Sequence, residues 1–159
     1  MTIQQLDILL ADDDTDDCLF FEDALAELPV FTKLVAVHDG EKLMQQLNGE
    51  TGRLPHILFL DLNMPRKNGF ECLAEIKLNK KLQDLPVVIF STSYEQQVVN
   101  LLYQNGAHYF IRKPSAFDQF KKIILYVLTL IAQEHITQPA PENFVLTVEN
   151  SHTEKPVIK

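Results

Sequence analysis

The chain of 159 residues has two cysteines, no tryptophan, five glycines and no long apolar run. Cys18 and Cys72 are too few and too far apart for a zinc site or a disulfide scaffold. They fit a reducing compartment, where both read as small buried hydrophobes. The longest apolar stretch, Ile123 to Ala132 broken only by Thr129, is half the roughly 20 residues that a membrane span needs. Residues Met1 to Asp7 lack a basic n-region and an apolar h-region, so no secretory signal is expected and the cytoplasm is the expected compartment. Basic residues are scarce too: 14 Lys and Arg against 22 Asp and Glu leave a net charge of −8, which argues against nucleic-acid binding. What the chain does have is 46% hydrophobic residues and ten phenylalanines, enough for one sizeable core.

That apolar content is distributed rhythmically. Five short runs, Ile8 to Ala11, Leu34 to Val37, Ile57 to Leu60, Val87 to Phe90 and Tyr109 to Ile111, read as strands buried on both faces. Each precedes a helical pattern: about 15–28, 41–47, 70–78, 94–104 and 117–133. Asn105-Gly106 after the fourth is a left-handed cap signal. Strand–helix alternation predicts a doubly wound α/β sandwich around a five-stranded parallel sheet. Residues 136–159 carry Pro139, Pro141 and Pro156 and no helical period. They are expected to extend the folded unit of residues 1–135 and not to add a sixth βα unit, although Phe144 to Val148 has the composition of a strand.

In such sheets ligands bind at the carboxyl ends of the strands, and these ends are polar here. Residues 12–17 hold five of the eleven aspartates. Carboxylates so close repel one another unless a cation or donors offset them, and a hard, oxygen-seeking cation such as Mg²⁺ is the natural partner. Asp14, Asp16 and Asp17 fit helix capping and the helix dipole. Asp12 and Asp13 leave the strand before a helix can begin. An EF-hand loop from Asp12 fails, because Asp17 stands where glycine is needed and Asp23 where glutamate is. A haloacid-dehalogenase-like pattern fails at Asp16. Asp61 follows the third strand, Ser91 the fourth and Lys113 the fifth. Together with the first cluster they gather metal ligands, a nucleophile, a hydroxyl and a counter-cation, as phosphoryl transfer to a carboxylate requires.

Over residues 6–135 the chain resembles the receiver domains of two-component response regulators. The supporting motifs are Leu9-Leu10-Ala11-Asp12-Asp13-Asp14, Asp61-Leu62-Asn63-Met64-Pro65 with Asn68-Gly69, Phe90-Ser91-Thr92-Ser93, Gly106-Ala107 and Lys113-Pro114. The resemblance implies a flavodoxin-like fold with strand order 2-1-3-4-5 and Asp61 as phosphoacceptor. It implies Mg²⁺ or Mn²⁺ held by Asp13, Asp61 and the backbone carbonyl of Asn63, with Asp12 binding metal-bound water. Ser91 and Lys113 would contact the phosphoryl group, and Phe110 would be the aromatic switch beside Ser91. Two departures stand out: Ser91 where threonine is commoner, and Phe110 where tyrosine is frequent. Lys67, in place of a common methionine, is shared with the small single-domain regulators similar to phytochrome-associated ones. The implied donor is a sensor histidine kinase or a histidine phosphotransfer protein, and the implied chemistry is limited to the protein's own phosphorylation and dephosphorylation.

Two other readings are kept beside this one: an unphosphorylated adaptor of the same fold, and a metal-dependent phosphohydrolase, whose spacing the chain lacks. No helix-turn-helix pattern or basic patch follows residue 135, so output is expected through protein contacts, with neither nucleic acid nor membrane as partner. On the fifth helix Phe117, Phe120, Ile124, Val127, Leu128 and Ile131 form a core stripe. Ile123 and Leu130 flank it and are expected to need a second cover, either the tail or a second copy of the chain in a homodimer through the fourth helix, fifth strand and fifth helix. The five histidines show no ligand pair and are expected to be solvated or capping.

Overall fold

The computed structural model describes residues 5–49, 53–92, 94–113, 116–134 and 136–151. In chain order the elements are β1 (Leu6–Ala11), α1 (Thr15–Ala26), β2 (Thr32–Val37), α2 (Gly40–Leu47), β3 (Ile57–Leu60), α3 (Gly69–Leu78), β4 (Val87–Ser91), α4 (Gln96–Gln104), β5 (Tyr109–Arg112) and α5 (Phe117–Ala132). All strands pair in parallel, in the order β2-β1-β3-β4-β5. Parallel neighbours need crossover helices, which cover both faces.

Alternation along each strand decides which face a side chain enters. Leu9, Leu58, Leu60, Ile89 and Phe110 join Leu43, Leu47, Leu73, Ile76 and Leu102 on the side of α2, α3 and α4. Ile8, Leu10, Phe59, Phe90 and Ile111 join Phe21, Phe120, Ile124 and Val127 on the side of α1 and α5. There Phe21 meets the rings of Phe59, Phe90 and Phe120 edge to face. The helix starts are fixed locally. Asp14 caps α1, Asp39 caps α2, and Asn68 with Glu71 forms a reciprocal capping box on α3. Gly106 has φ +98°, the left-handed turn anticipated at Asn105-Gly106.

One expectation changes, and for another the structure favours one of its two alternatives. β2 is an edge strand, so it is half-exposed and not buried on both faces. Ile123 is only 4% exposed and belongs to the same cluster as Leu146 of the extension, with Leu130 packed against that cluster. These two residues therefore do not require a second subunit. The extension crosses the free edge of β5: Phe110 donates its N–H to Phe144 O at 3.0 Å and accepts from Leu146 N–H at 2.8 Å. Phe144 lies among the residues on the α4 side, near Tyr103 and Phe110, and Leu146 lies on the α5 side. Tyr103 Oη donates to Pro139 O, and Gln138 Nε2 donates to Tyr103 O and Ala107 O. Residues 152–159, with His152 and Pro156, lie outside the described residues, as does His135.

His56 and His108 add a rung at the start of the sheet. Each donates its backbone N–H to a neighbouring strand, to Asp7 O and Val87 O, and its Nδ1 accepts the N–H of that same residue. An accepting Nδ1 must be unprotonated. For His108, burial and then the Lys77 ammonium push the imidazole down to about 4. Its folded-state value is thus below the unfolded one. The stability it supplies is complete above about pH 6.5 and is lost as the pH falls toward 4, about 1–3 kcal/mol after allowance for partial exposure. Urea unfolding between pH 4 and 7 checks this. His108→Asn, which keeps an acceptor but cannot titrate, should remove that part of the slope, and an unchanged slope would count against it.

Candidate functional site

Four strands deliver polar side chains to one end of the sheet. Asp12 leaves β1 fully buried, with Oδ1 accepting the Asp14 N–H at 3.0 Å and Oδ2 accepting from Lys113 Nζ at 2.7 Å. Asp61, just after β3, is 5% exposed and its Oδ1 lies 3.7 Å from the same ammonium. Asp13 is exposed, yet one oxygen each of Asp12, Asp13 and Asp61 lie within 4.8 Å of one another. Ser91 ends β4 fully buried. Lys113, just past β5, is buried and hydrogen-bonded by its backbone to Ser91 O, and its Nζ lies 4.8 Å over the Phe90 ring. Ser93 and Pro114 fall outside the described residues.

The turn after β3 depends on a glycine. A Cβ on Gly69 would stand 2.3 Å from Asp61 O and 2.8 Å from Leu62 Cα, so only glycine lets α3 begin against the strand that presents Asp61. Asn63 is exposed within that turn. Phe110 is fully buried, its ring 6.0 Å from Tyr94 and 6.3 Å from Phe144.

Charge is crowded here. Burial raises the Asp12 carboxyl above the usual range, although Lys113 opposes this. Burial, helped by the fields of Asp12 and Asp13, pushes Asp61 up to about 7 against the pull of Lys113. For Lys113 burial disfavours the charge, but the hydrogen bonds to Asp12 and Asp17 and the field of Asp61 outweigh it and hold the ammonium above its ordinary value. One ammonium cannot neutralise this set of carboxylates. Clustered oxygen donors with surplus negative charge are the donor set of a hard divalent cation, so the residues fit Mg²⁺ or Mn²⁺.

Three residues had another reading or none in the sequence. Asp17 is more than a cap: its Oδ2 accepts from Lys113 Nζ at 2.8 Å, while Asp14 takes the capping role. His38, at the end of β2, lies with Nδ1 3.0 Å from Asp12 O; a carbonyl only accepts, so Nδ1 carries the proton. Cys18 is half-buried with Sγ 3.5 Å from Asp12 O, and burial with the Asp12 charge pushes its thiol up to about 11. Among the described residues no helix is long and apolar enough to cross a membrane.

Comparison with known proteins agrees with this arrangement. The model of the response regulator receiver domain matches residues 8–125. The response regulator Rcp1 of Synechocystis is 31% identical over 121 residues, covering 74% of this chain and 82% of that protein. Among solved structures, the phosphorylated cyanobacterial phytochrome response regulator RcpA superposes with a TM-score of 0.74 at 31% identity, covering 86% of this chain and all of that one. The Mn²⁺-bound form of Rcp1 gives 0.69 at 30% identity, covering 85% and 99%. A family model that spans nearly the whole sheet, and relatives matched over most of their own length, leave one assignment: the chain belongs to the response regulator receiver domains of two-component signalling, a family that binds divalent metal.

Proposed function

We propose that this chain is a phosphorylation-controlled switch in which Asp61 accepts a phosphoryl group from a phosphohistidine on a sensor kinase or phosphotransfer protein. The observation that carries this reading is the convergence of Asp12, Asp13 and Asp61 at the strand ends, with the buried Lys113 ammonium beside Asp12 and Asp61. An Asp61 carboxylate oxygen attacks phosphorus while the phosphorus–nitrogen bond to the donor imidazole breaks, and that nitrogen then takes up a proton. Lys113 meets the charge that develops on the phosphoryl oxygens, and the Ser91 hydroxyl, at the end of β4, donates to one of them. Asp13, Asp61 and the Asn63 carbonyl would hold Mg²⁺ or Mn²⁺, with Asp12 on metal-bound water, and the ion would supply further charge neutralisation. Phe110 reports the phosphorylated state to the surface of α4 and to the extension. On this reading the receiver unit is residues 1–135 and residues 136–159 are its extension, with residues 138–146 strapped to it, working in the cytoplasm and signalling through protein contacts. A homodimer through α4, β5 and α5 would have to accommodate that strap, which already takes the edge of β5. Apart from its own phosphorylation and dephosphorylation the protein turns nothing over.

Incubation with a small-molecule phosphodonor and Mg²⁺, followed by intact mass, tests this: one added phosphoryl group is expected, and none would sink the reading. Metal binding has its own signature, because the ion binds the folded cluster and not the unfolded chain. With a millimolar site and a few millimolar ion, Mg²⁺ should add about 1 kcal/mol. Asp13→Asn should stabilise the metal-free fold by relieving repulsion and shrink the Mg²⁺ shift of melting temperature. Equal shifts in both proteins would remove Asp13 from the ligands.

A further inference from the structure

Lys113 Nζ is shared unevenly. It lies 2.7 Å from Asp12 Oδ2 and 2.8 Å from Asp17 Oδ2, both within hydrogen-bond reach, but 3.7 Å from Asp61 Oδ1, which is not. Asp12 leaves the strand that neighbours β3 and so sits beside Asp61, whereas Asp17 is on the first turn of α1. That turn is fixed by two bonds, since Asp14 Oδ1 accepts the N–H groups of both Asp16 and Asp17. The Asp17 carboxylate is therefore held where it draws the ammonium toward α1. Its side chain is 34% exposed against 6% for Lys113, so the pair lies at the mouth of the crevice with the lysine inside.

Resting on the function proposed above, we infer that Asp17 is a positioning residue that holds Lys113 back from Asp61 and so restrains phosphoryl transfer. An ammonium has three N–H donors, and here Asp12 and Asp17 take two. A phosphoryl group arriving on Asp61 needs the same cation, and it competes with a carboxylate already at bonding distance. Asp17 also neutralises part of the positive charge that would draw an anionic donor into the crevice. Removing the Asp17 charge releases the ammonium toward Asp61 and leaves its bond to Asp12 in place. The helix keeps its Asp14 cap, so the effect is on the cation and not on the fold.

The test compares Asp17→Asn, Asp17→Glu and wild type for the rate of labelling by acetyl phosphate at saturating Mg²⁺. Asp17→Asn should label about twofold to fivefold faster, the size of a partly exposed ion pair expressed as a rate, and Asp17→Glu should return toward wild type. The same pair of substitutions is then made on a Lys113→Ala background, where the Asp17→Asn advantage should disappear. An unchanged rate, or the same factor without Lys113, overturns the inference, because Asp17 would then act as a helix residue or through its field alone. The ¹⁵N side-chain signal of the Lys113 ammonium in metal-free protein gives a readout without phosphorylation. It should shift in Asp17→Asn, and an unmoved signal overturns the inference as well. A wild type that takes no phosphoryl group while this signal does move would instead overturn the function and leave the pairing standing.

Discussion

Without metal, Asp61→Asn should unfold at higher urea than wild type at pH 8, by about 2–4 kcal/mol. The sign follows from the direction of the Asp61 shift. Its carboxyl is raised from 3.8 to about 7 in the fold, chiefly by burial. The folded protein therefore keeps a proton that the unfolded chain has released across that window, and stability falls as the pH rises through it. The full cost is present above pH 7 and fades below pH 4, so the advantage of asparagine should do the same. The same variant should take no phosphoryl group, because its amide is no nucleophile. Equal stability of the two proteins at pH 8 would show that Asp61 is less strained than its burial implies, and unchanged labelling would move the acceptor elsewhere. His108 contributes the opposite slope over much of the same range. The wild type should thus have a flatter pH profile than either variant, and only a comparison of the two will expose the compensating terms.

Phe144→Ala should cost about 3–5 kcal/mol, the range for emptying a buried aromatic site. Phe144 is 1% exposed, 19 residues beyond the end of the matched family region, and its ring meets Tyr103 edge to face at 5.2 Å. Its carbonyl accepts from Phe110, so the substitution also loosens a backbone bond. A chain ending at Gln138 should lose at least as much, because Leu146 goes too. Urea titration of the three proteins measures this. A loss under 1 kcal/mol for both changes would mean that the extension only rests on the domain.

The elements were legible because each rests on local chemistry that a sequence displays. β3 begins and ends where the run Ile57 to Leu60 does, and α4 stops at Asn105-Gly106 because only a left-handed turn can follow. The chemistry-bearing residues were legible for a related reason, since a carboxylate directly after a buried strand has few structural uses. The second role of Asp17 is not legible, because the first turn of a helix gives any aspartate a reason to be there, and only the position of Lys113, 96 residues away, reveals the other one. Ile123 needs a second cover that the sequence of its own helix cannot name. Helical period shows that a face is apolar, but not that it shares a buried cluster with Leu146, supplied by a segment with no period of its own. The half-exposure of β2 follows from strand order and not from composition, as its residues read like those of the central strands.

The pair of hydrogen bonds between Phe110 and the extension has a consequence for how the molecule behaves in company. A parallel sheet has two open margins, and unpaired N–H and C=O groups along a margin are a template on which another chain can add a strand. At the β2 margin Lys33 and Ala36 are exposed, which puts a charged side chain on that border. At the β5 margin the sequence offers buried Tyr109, Phe110 and Ile111, as adhesive a border as the protein could present. The extension spends its own backbone groups there, binding both the N–H and the C=O of Phe110. Residues 139–146 are thus a built-in stopper: a segment of the chain itself keeps the sheet from growing into its neighbours at that margin.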